Sequence, residues 1–222
     1  MKAVDLVERL TGRHLRHLSV RYCIDRMALM LYERRHSDEP WLTRQAVEIL
    51  GSWLRPSDVG WEWGSGRSTV WFAKRVQSLV SIEHDESWYK KVGEQLRAEG
   101  LDHKVDYRLE KDGVQETSCS RYVRSIDDLH ERSLDFVLVD GVCRAFCAQA
   151  AIEKIKPGGI LVIDNANWFL PGPWLSRSPN SRNDREPATA EWAVVSEMLS
   201  SWRCIWTSNG VTDTGLWIRT FE

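Results

Sequence analysis

Residues 58–76 read DVGWEWGSGRSTVWFAKRV. An apolar run through Val59, Trp61 and Trp63 breaks at Gly64-Ser65-Gly66 and resumes at Val70, Trp71 and Phe72, where a strand should give way to a helix. Glycines there cost chain entropy, so the turn needs a reason. In a parallel α/β sheet, ligands bind outside the carboxyl ends of the strands, and glycines in the first strand-to-helix turn let the backbone approach a ligand or take φ > 0. Gly64 and Gly66 fit that need. GSGRST carries the first two glycines of G-x-G-x-x-G and Thr69 where the third belongs, so the turn alone is an incomplete dinucleotide fingerprint.

Outward from this turn, short apolar strands alternate with helical patterns. SLVSIE follows the first helix, ESWYKKVGEQLRAEG reads as the second helix, and KVDYRLE alternates Val105, Tyr107 and Leu109 with polar residues. SLDFVLVD then reads as a buried strand, CRAFCAQAAIEKI as a helix, KPGG as its stop and ILVID as another buried strand. Near-continuous apolar strands mean a parallel sheet covered on both faces. After a helix near ATAEWAVVSEMLSSW, two strand-like runs flank Asn209-Gly210 and Asp213, an antiparallel pair at a sheet edge. The expected fold is α/β: a Rossmann-like, doubly wound, mostly parallel seven-stranded sheet over residues 56–222 with a C-terminal antiparallel hairpin, preceded by a helical cap over 1–55. In the cap, Leu15, Leu18, Tyr22, Met27, Met30 and Leu31 fall at helical spacing, which reads as a packing face onto the body or onto a second copy in a homodimer.

At 222 residues and 42% hydrophobic content the chain can bury a sizeable core. Its 30 Lys and Arg against 32 Asp and Glu provide no general attraction to nucleic acid or anionic membrane, so a small-molecule partner is expected. No apolar run approaches the ~20 residues of a membrane span, and the first residues lack the apolar segment of a signal peptide. The expected location is therefore the cytoplasm. Five cysteines without a C-x-x-C pair argue against a disulfide framework or a structural zinc. Tryptophan, at 12, outnumbers Phe and Tyr together, 5 of each, and some of these rings are expected to line a site.

Glu83 closes the second strand about twenty residues after the turn, where an acidic side chain can accept hydrogen bonds from both ribose hydroxyls. Turn and acid together point to an adenosine-type ligand. With WGSGRST after Glu62, then SIEHDESWYKKV, FVLVDG and KPGGILVIDN in that order, residues 56–222 resemble the class I S-adenosylmethionine-dependent methyltransferases, particularly the bacterial small-molecule ones. The resemblance implies Glu62, Gly64, Ser65, Gly66, Glu83, His84 and Asp140 at the cofactor. The chemistry agrees. This methyl donor has no pyrophosphate, so a third glycine is dispensable, and an acid such as Glu62 suits its cationic groups.

Asp140 and Asp164 end the fourth and fifth strands, with Asn165 beside the latter. Three oxygen ligands, two of them anionic, suit a hard divalent ion such as magnesium. This is similar to the catechol and caffeoyl-coenzyme A O-methyltransferases, which implies Asp140, Asp164 and Asn165 as metal ligands. That family's lysine three residues beyond the first aspartate is here Cys143, and the adjacent Arg144 cannot serve as a base. Asp140 is then the candidate catalytic base, and a hydroxyl oxygen the expected acceptor. The segment NANWFLPGPWLSRS, with Trp168 and Trp174, reads as a lid over the acceptor or as an anchor onto the body. Two rivals stand beside this reading. A nicotinamide-dependent oxidoreductase is disfavoured by the missing third glycine and by the closing antiparallel hairpin, and a non-catalytic cofactor-binding scaffold would bind the donor without turnover.

Overall fold

The computed structural model describes residues 19–111, 118, 120–172, 181–182 and 186–221. Seven strands, β1 (Val59–Trp63), β2 (Ser78–Glu83), β3 (Val105–Leu109), β4 (Leu134–Val139), β5 (Ile155–Asp164), β6 (Arg203–Ser208) and β7 (Asp213–Ile218), form one sheet in the order β3-β2-β1-β4-β5-β7-β6. β3 through β5 are parallel, and β7 pairs antiparallel with both β5 and β6. The strand order reverses between β1 and β4, which opens a crevice at their carboxyl ends. The expected doubly wound sheet with a closing hairpin is the observed one.

Side-chain alternation divides the core in two. In β4, Phe136 and Leu138 face one side with Ile160 and Val162 of β5, while Val137 and Val139 face the other with Leu161 and Ile163. Helices α2 (Arg44–Trp53), α3 (Arg67–Ala73) and α4 (Glu86–Ala98) cover the first face through Leu50, Phe72 and Leu96. Helices α6 (Arg144–Ile152) and α7 (Ala190–Met198) cover the second through Ala148 and Val195, and the short α5 (Arg121–Arg124) adds Tyr122 and Val123. Gly60 is needed here because a Cβ would lie 2.1 Å from the Phe136 ring.

One feature differs from the sequence expectation. Lys156-Pro157-Gly158-Gly159 belongs to β5 and is not a helix stop: the register shifts between Leu134 and Phe136, and Gly158 at φ +79 donates its N–H to Arg219 O at 2.9 Å. A bulge of this kind lets the strand start early without disturbing the buried pairs beyond it. Helix α1 (Val20–Arg35) buries no residue against the rest of the chain, and Met27, Met30 and Leu31 stay 64%, 44% and 49% exposed. Helix α2, by contrast, shares the core of the sheet: Thr43 caps it, accepting from Ala46 N at 3.4 Å, and Ala46, Val47 and Leu50 are buried. Leu15, Leu18 and Trp174 lie outside the described residues.

Candidate active site

The glycine turn follows from close packing. Gly64 has φ +90, and a Cβ on it would lie 2.6 Å from the Gly141 nitrogen in the loop after β4, so two backbones meet where no side chain fits. Gly66 differs. Its backbone is extended, and a Cβ there would meet only Trp88 Nε1 at 3.9 Å and Ser68 Oγ at 4.0 Å. Thr69, at the position of the missing third glycine, accepts the Gly66 N–H at 2.9 Å and donates its hydroxyl to Glu62 Oε2 at 2.6 Å. Ser81 also donates to Glu62 Oε2, at 2.7 Å. Glu62 is fully buried, and its Oε1 has no hydrogen-bond partner among the described residues. Burial pushes its carboxyl up to about 7, against the pull of the hydroxyls bonded to it.

Glu83 ties the turn to the end of β2. Its Oε2 accepts the Ser65 N–H at 3.0 Å and the Ser65 hydroxyl at 2.7 Å, and its Oε1 accepts the amides of His84 and Asp85 at 2.8 and 2.9 Å. Helix α4 is capped by Asp85, whose Oδ1 accepts from Trp88 N at 2.7 Å, so Glu83 has no capping duty. His84 Nδ1 lies 3.0 Å from Glu83 Oε1. Gly64, Ser65, Gly66, Glu83, His84 and Asp140 all line one cleft of about 560 Å³, walled by Trp41 and Trp88. Glu62 lies beneath it. These rings stack at 6.3 Å, and Trp88 Nε1 donates to Ser65 O at 2.6 Å.

A second pocket of about 460 Å³ shares Gly141 and Val142 with this cleft. Phe146, Trp168, Phe169 and Trp192 wall it, with Arg144 and Glu191 as its charged members. Phe169 and Trp192 stack at 4.7 Å, and Trp168 remains 41% exposed.

The residues expected to hold a metal meet at Arg144, which lines the second pocket. Asp140 and Asn165 share one partner, the Arg144 guanidinium, which lies 2.9 Å from Asp140 Oδ1 and donates to Asn165 Oδ1 at 3.1 Å. Asp164 is buried and accepts the Thr214 hydroxyl at 2.8 Å, and Asn165 Nδ2 donates to Thr212 Oγ1 at 2.6 Å. Burial, then the Asp140 charge, raise the Asp164 carboxyl to about 7. Burial also raises Asp140, with Arg144 opposing it. The three residues converge at one sheet edge, but the Arg144 guanidinium already holds Asp140 Oδ1 and Asn165 Oδ1 and the Thr214 hydroxyl holds Asp164 Oδ1, so this donor set does not fit the ion. Among the described residues no group of three or more His, Cys, Asp or Glu is arranged to hold a metal.

Three participants escape a reading by residue type. Tyr107, on β3, reaches Ser65 Oγ at 2.7 Å, and Trp41, well upstream of the sheet, stacks at the mouth of the cleft. Neither carries a local signal. Arg144 does carry one: a basic residue four positions after the strand-ending Asp140, on the following helix, is spaced to reach back to it.

Residues 61–166 match a methyltransferase domain family. No curated protein matches the chain. Its fold is similar to that of a methyltransferase from Geobacter sulfurreducens (15% identity, TM-score 0.54, covering 94% of this chain and 95% of that one). It is also similar to a candidate O-methyltransferase from Klebsiella pneumoniae (17%, 0.50, covering 73% and 74%) and to an rRNA methylase from Streptococcus thermophilus (9%, 0.52, covering 80% and 95%). At these identities the likeness is one of fold. Among the described residues no helix is long and apolar enough to cross a membrane. The domain match, the strand order and the glycine cleft at its reversal point agree, and residues 61–166 form a methyltransferase domain on a Rossmann-like sheet.

Proposed function

We propose that this enzyme methylates a hydroxyl oxygen of a small, largely apolar acceptor in the cytoplasm, with the acceptor seated in the aromatic pocket beside the cofactor cleft. The observation that carries this reading is the adjacency of the two pockets, which share Gly141 and Val142 in their walls. A donor in one and an acceptor in the other would meet at that junction. Phe146, Trp168, Phe169 and Trp192 offer flat apolar walls, the lining that recognises a small planar molecule.

The residues present fit the cofactor. Gly66 leaves the cleft open beside the backbone, the cleft volume lies in the usual range for a small-molecule site, and Glu62 supplies a buried carboxyl beneath the turn with one oxygen, Oε1, that has no hydrogen-bond partner among the described residues. Ser65 and Glu83 form the wall for the ribose, with His84 beside them. S-adenosylmethionine supplies a methyl carbon on a cationic sulfur. That carbon would pass to the acceptor oxygen, with the electron pair of the broken carbon–sulfur bond left on sulfur. Asp140, which lines the cleft and adjoins Arg144 on the acceptor side, takes the hydroxyl proton and passes it to solvent. Alignment of the two reactants and exclusion of water can supply several kcal/mol of the acceleration, about 7 or more in well-oriented cases. Trp168 covers the acceptor.

Radiolabelled S-adenosylmethionine, offered with a panel of phenols, aliphatic alcohols, amines and structured RNA, tests the reading. Label should enter a phenol or alcohol as an ether, identified by mass spectrometry. Label in RNA or on an amine nitrogen, with none in any hydroxyl compound, would sink the small-molecule oxygen assignment.

A further inference from the structure

We infer that Arg144 takes the place of a divalent metal at the junction of the donor and acceptor sites, so that this enzyme works with a resident guanidinium where the O-methyltransferases it resembles use an ion. The guanidinium has five N–H donors. Nε donates to Gly141 O at 2.8 Å. Nη1 donates to Asp164 O at 2.6 Å and to Asn165 Oδ1 at 3.1 Å, and Nη2 to Asp140 O at 2.8 Å, with Asp140 Oδ1 at 2.9 Å. Every donor is thus engaged by the two segment ends that close the site: Asp140-Gly141 after β4 and Asp164-Asn165 at the end of β5.

A metal bound to Asp140, Asp164 and Asn165 would do two things: neutralise the carboxylates and hold the ends of β4 and β5 at a set distance. Arg144 does both. Its side chain is 16% exposed, and Phe169 stands with its ring centre 5.9 Å from Cζ, so the position is also enclosed. A divalent ion within about 4 Å of a fixed guanidinium would meet strong repulsion, and it would have to displace hydrogen bonds already made. Asp164 would also have to leave Thr214 Oγ1, which in turn accepts the Thr43 N–H at 3.1 Å, before offering that oxygen to an ion. Arg144 is in this sense a positioning residue, because all its donors are spent on the protein and none remains for the acceptor.

The test is a titration of Mn2+ into the full chain, with free and bound ion distinguished by electron paramagnetic resonance, in the presence and absence of S-adenosylhomocysteine. The wild type should leave the ion free at millimolar concentration. Arg144→Ala, with its fold checked by circular dichroism, should gain an ion that is lost again when Asp140→Asn is added. Should Arg144→Ala not fold, Arg144→Met preserves the packing of the stem and serves in its place. One equivalent of Mn2+ bound by the wild type and abolished by Asp140→Asn would overturn the inference. So would an Arg144 variant, folded, that binds no ion, because the oxygens would then not be a cation site at all.

Discussion

Ser65 gives both its backbone N–H and its hydroxyl to a single oxygen of Glu83, at 3.0 and 2.7 Å. The turn after β1 and the end of β2 are thereby one structural unit, and the acid expected to meet a ribose also holds up the wall of the cleft. Glu83→Ala removes a charged acceptor from four donors, so loss of fold stability accompanies loss of cofactor affinity. Hydrogen bonds to charged groups contribute about 1.5 to 3 kcal/mol each, which sets the scale for both effects. Calorimetry with S-adenosylhomocysteine and a thermal melt should both register the change. An unchanged melt with unchanged affinity would detach Glu83 from both roles.

The two glycines of the turn separate experimentally. Gly64→Ala puts a Cβ against Gly141 at a backbone φ of +90, and it should lower the melting temperature. Gly66→Val has room in the empty cleft and an ordinary extended backbone, so it should fold normally and lose cofactor binding by obstruction. A Gly66→Val protein that melts early and binds normally would reverse this assignment.

Glu62 predicts a pH dependence. Its carboxyl rises from 4.5 to about 7 on folding, so the folded chain keeps the proton that the unfolded chain releases. The cofactor-free protein should therefore lose stability as pH climbs from about 4.5 to about 7 and change little from this source above that. Asp164, also at about 7, acts in the same direction. Glu62→Gln keeps an acceptor for Thr69 and Ser81 but cannot ionise. Between about pH 5 and about pH 8 its urea-derived stability should improve relative to wild type by roughly 2 to 3 kcal/mol. A constant difference across that range would contradict the buried-acid account.

The rings of the second pocket divide into a cover and a support. Trp168 is 41% exposed, so Trp168→Ala should barely move the melting temperature while raising KM for the acceptor or lowering kcat. Trp192 is 4% exposed and stacked on Phe169, so Trp192→Ala should cost about 3 to 5 kcal/mol. Equal losses of stability in both variants, with normal kinetics for Trp168→Ala, would make Trp168 an anchor and leave the acceptor uncovered by it.

The order of strands and helices, and the turn at Gly64, were legible in the amino-acid sequence because they are set by neighbours along the chain: apolar runs of strand length, a helical period, and glycines at the handover between them. The same periodicity put Asp140, Asp164 and Asn165 at strand ends, and therefore at one edge. What it could not decide was who would hold them. The acceptors of Arg144 come from two segments whose separation depends on the pairing of β4 with β5, and only that pairing turns a surface-type residue into the cation of the site. The bulge at Pro157-Gly158 was hidden for the same reason, since it is stabilised by Arg219, at the end of the neighbouring strand β7 and far along the chain. Local patterning determined the elements and the edge on which the chemistry lies; long-range packing decided which charge sits there, because a guanidinium finds its partners in space and not along the chain.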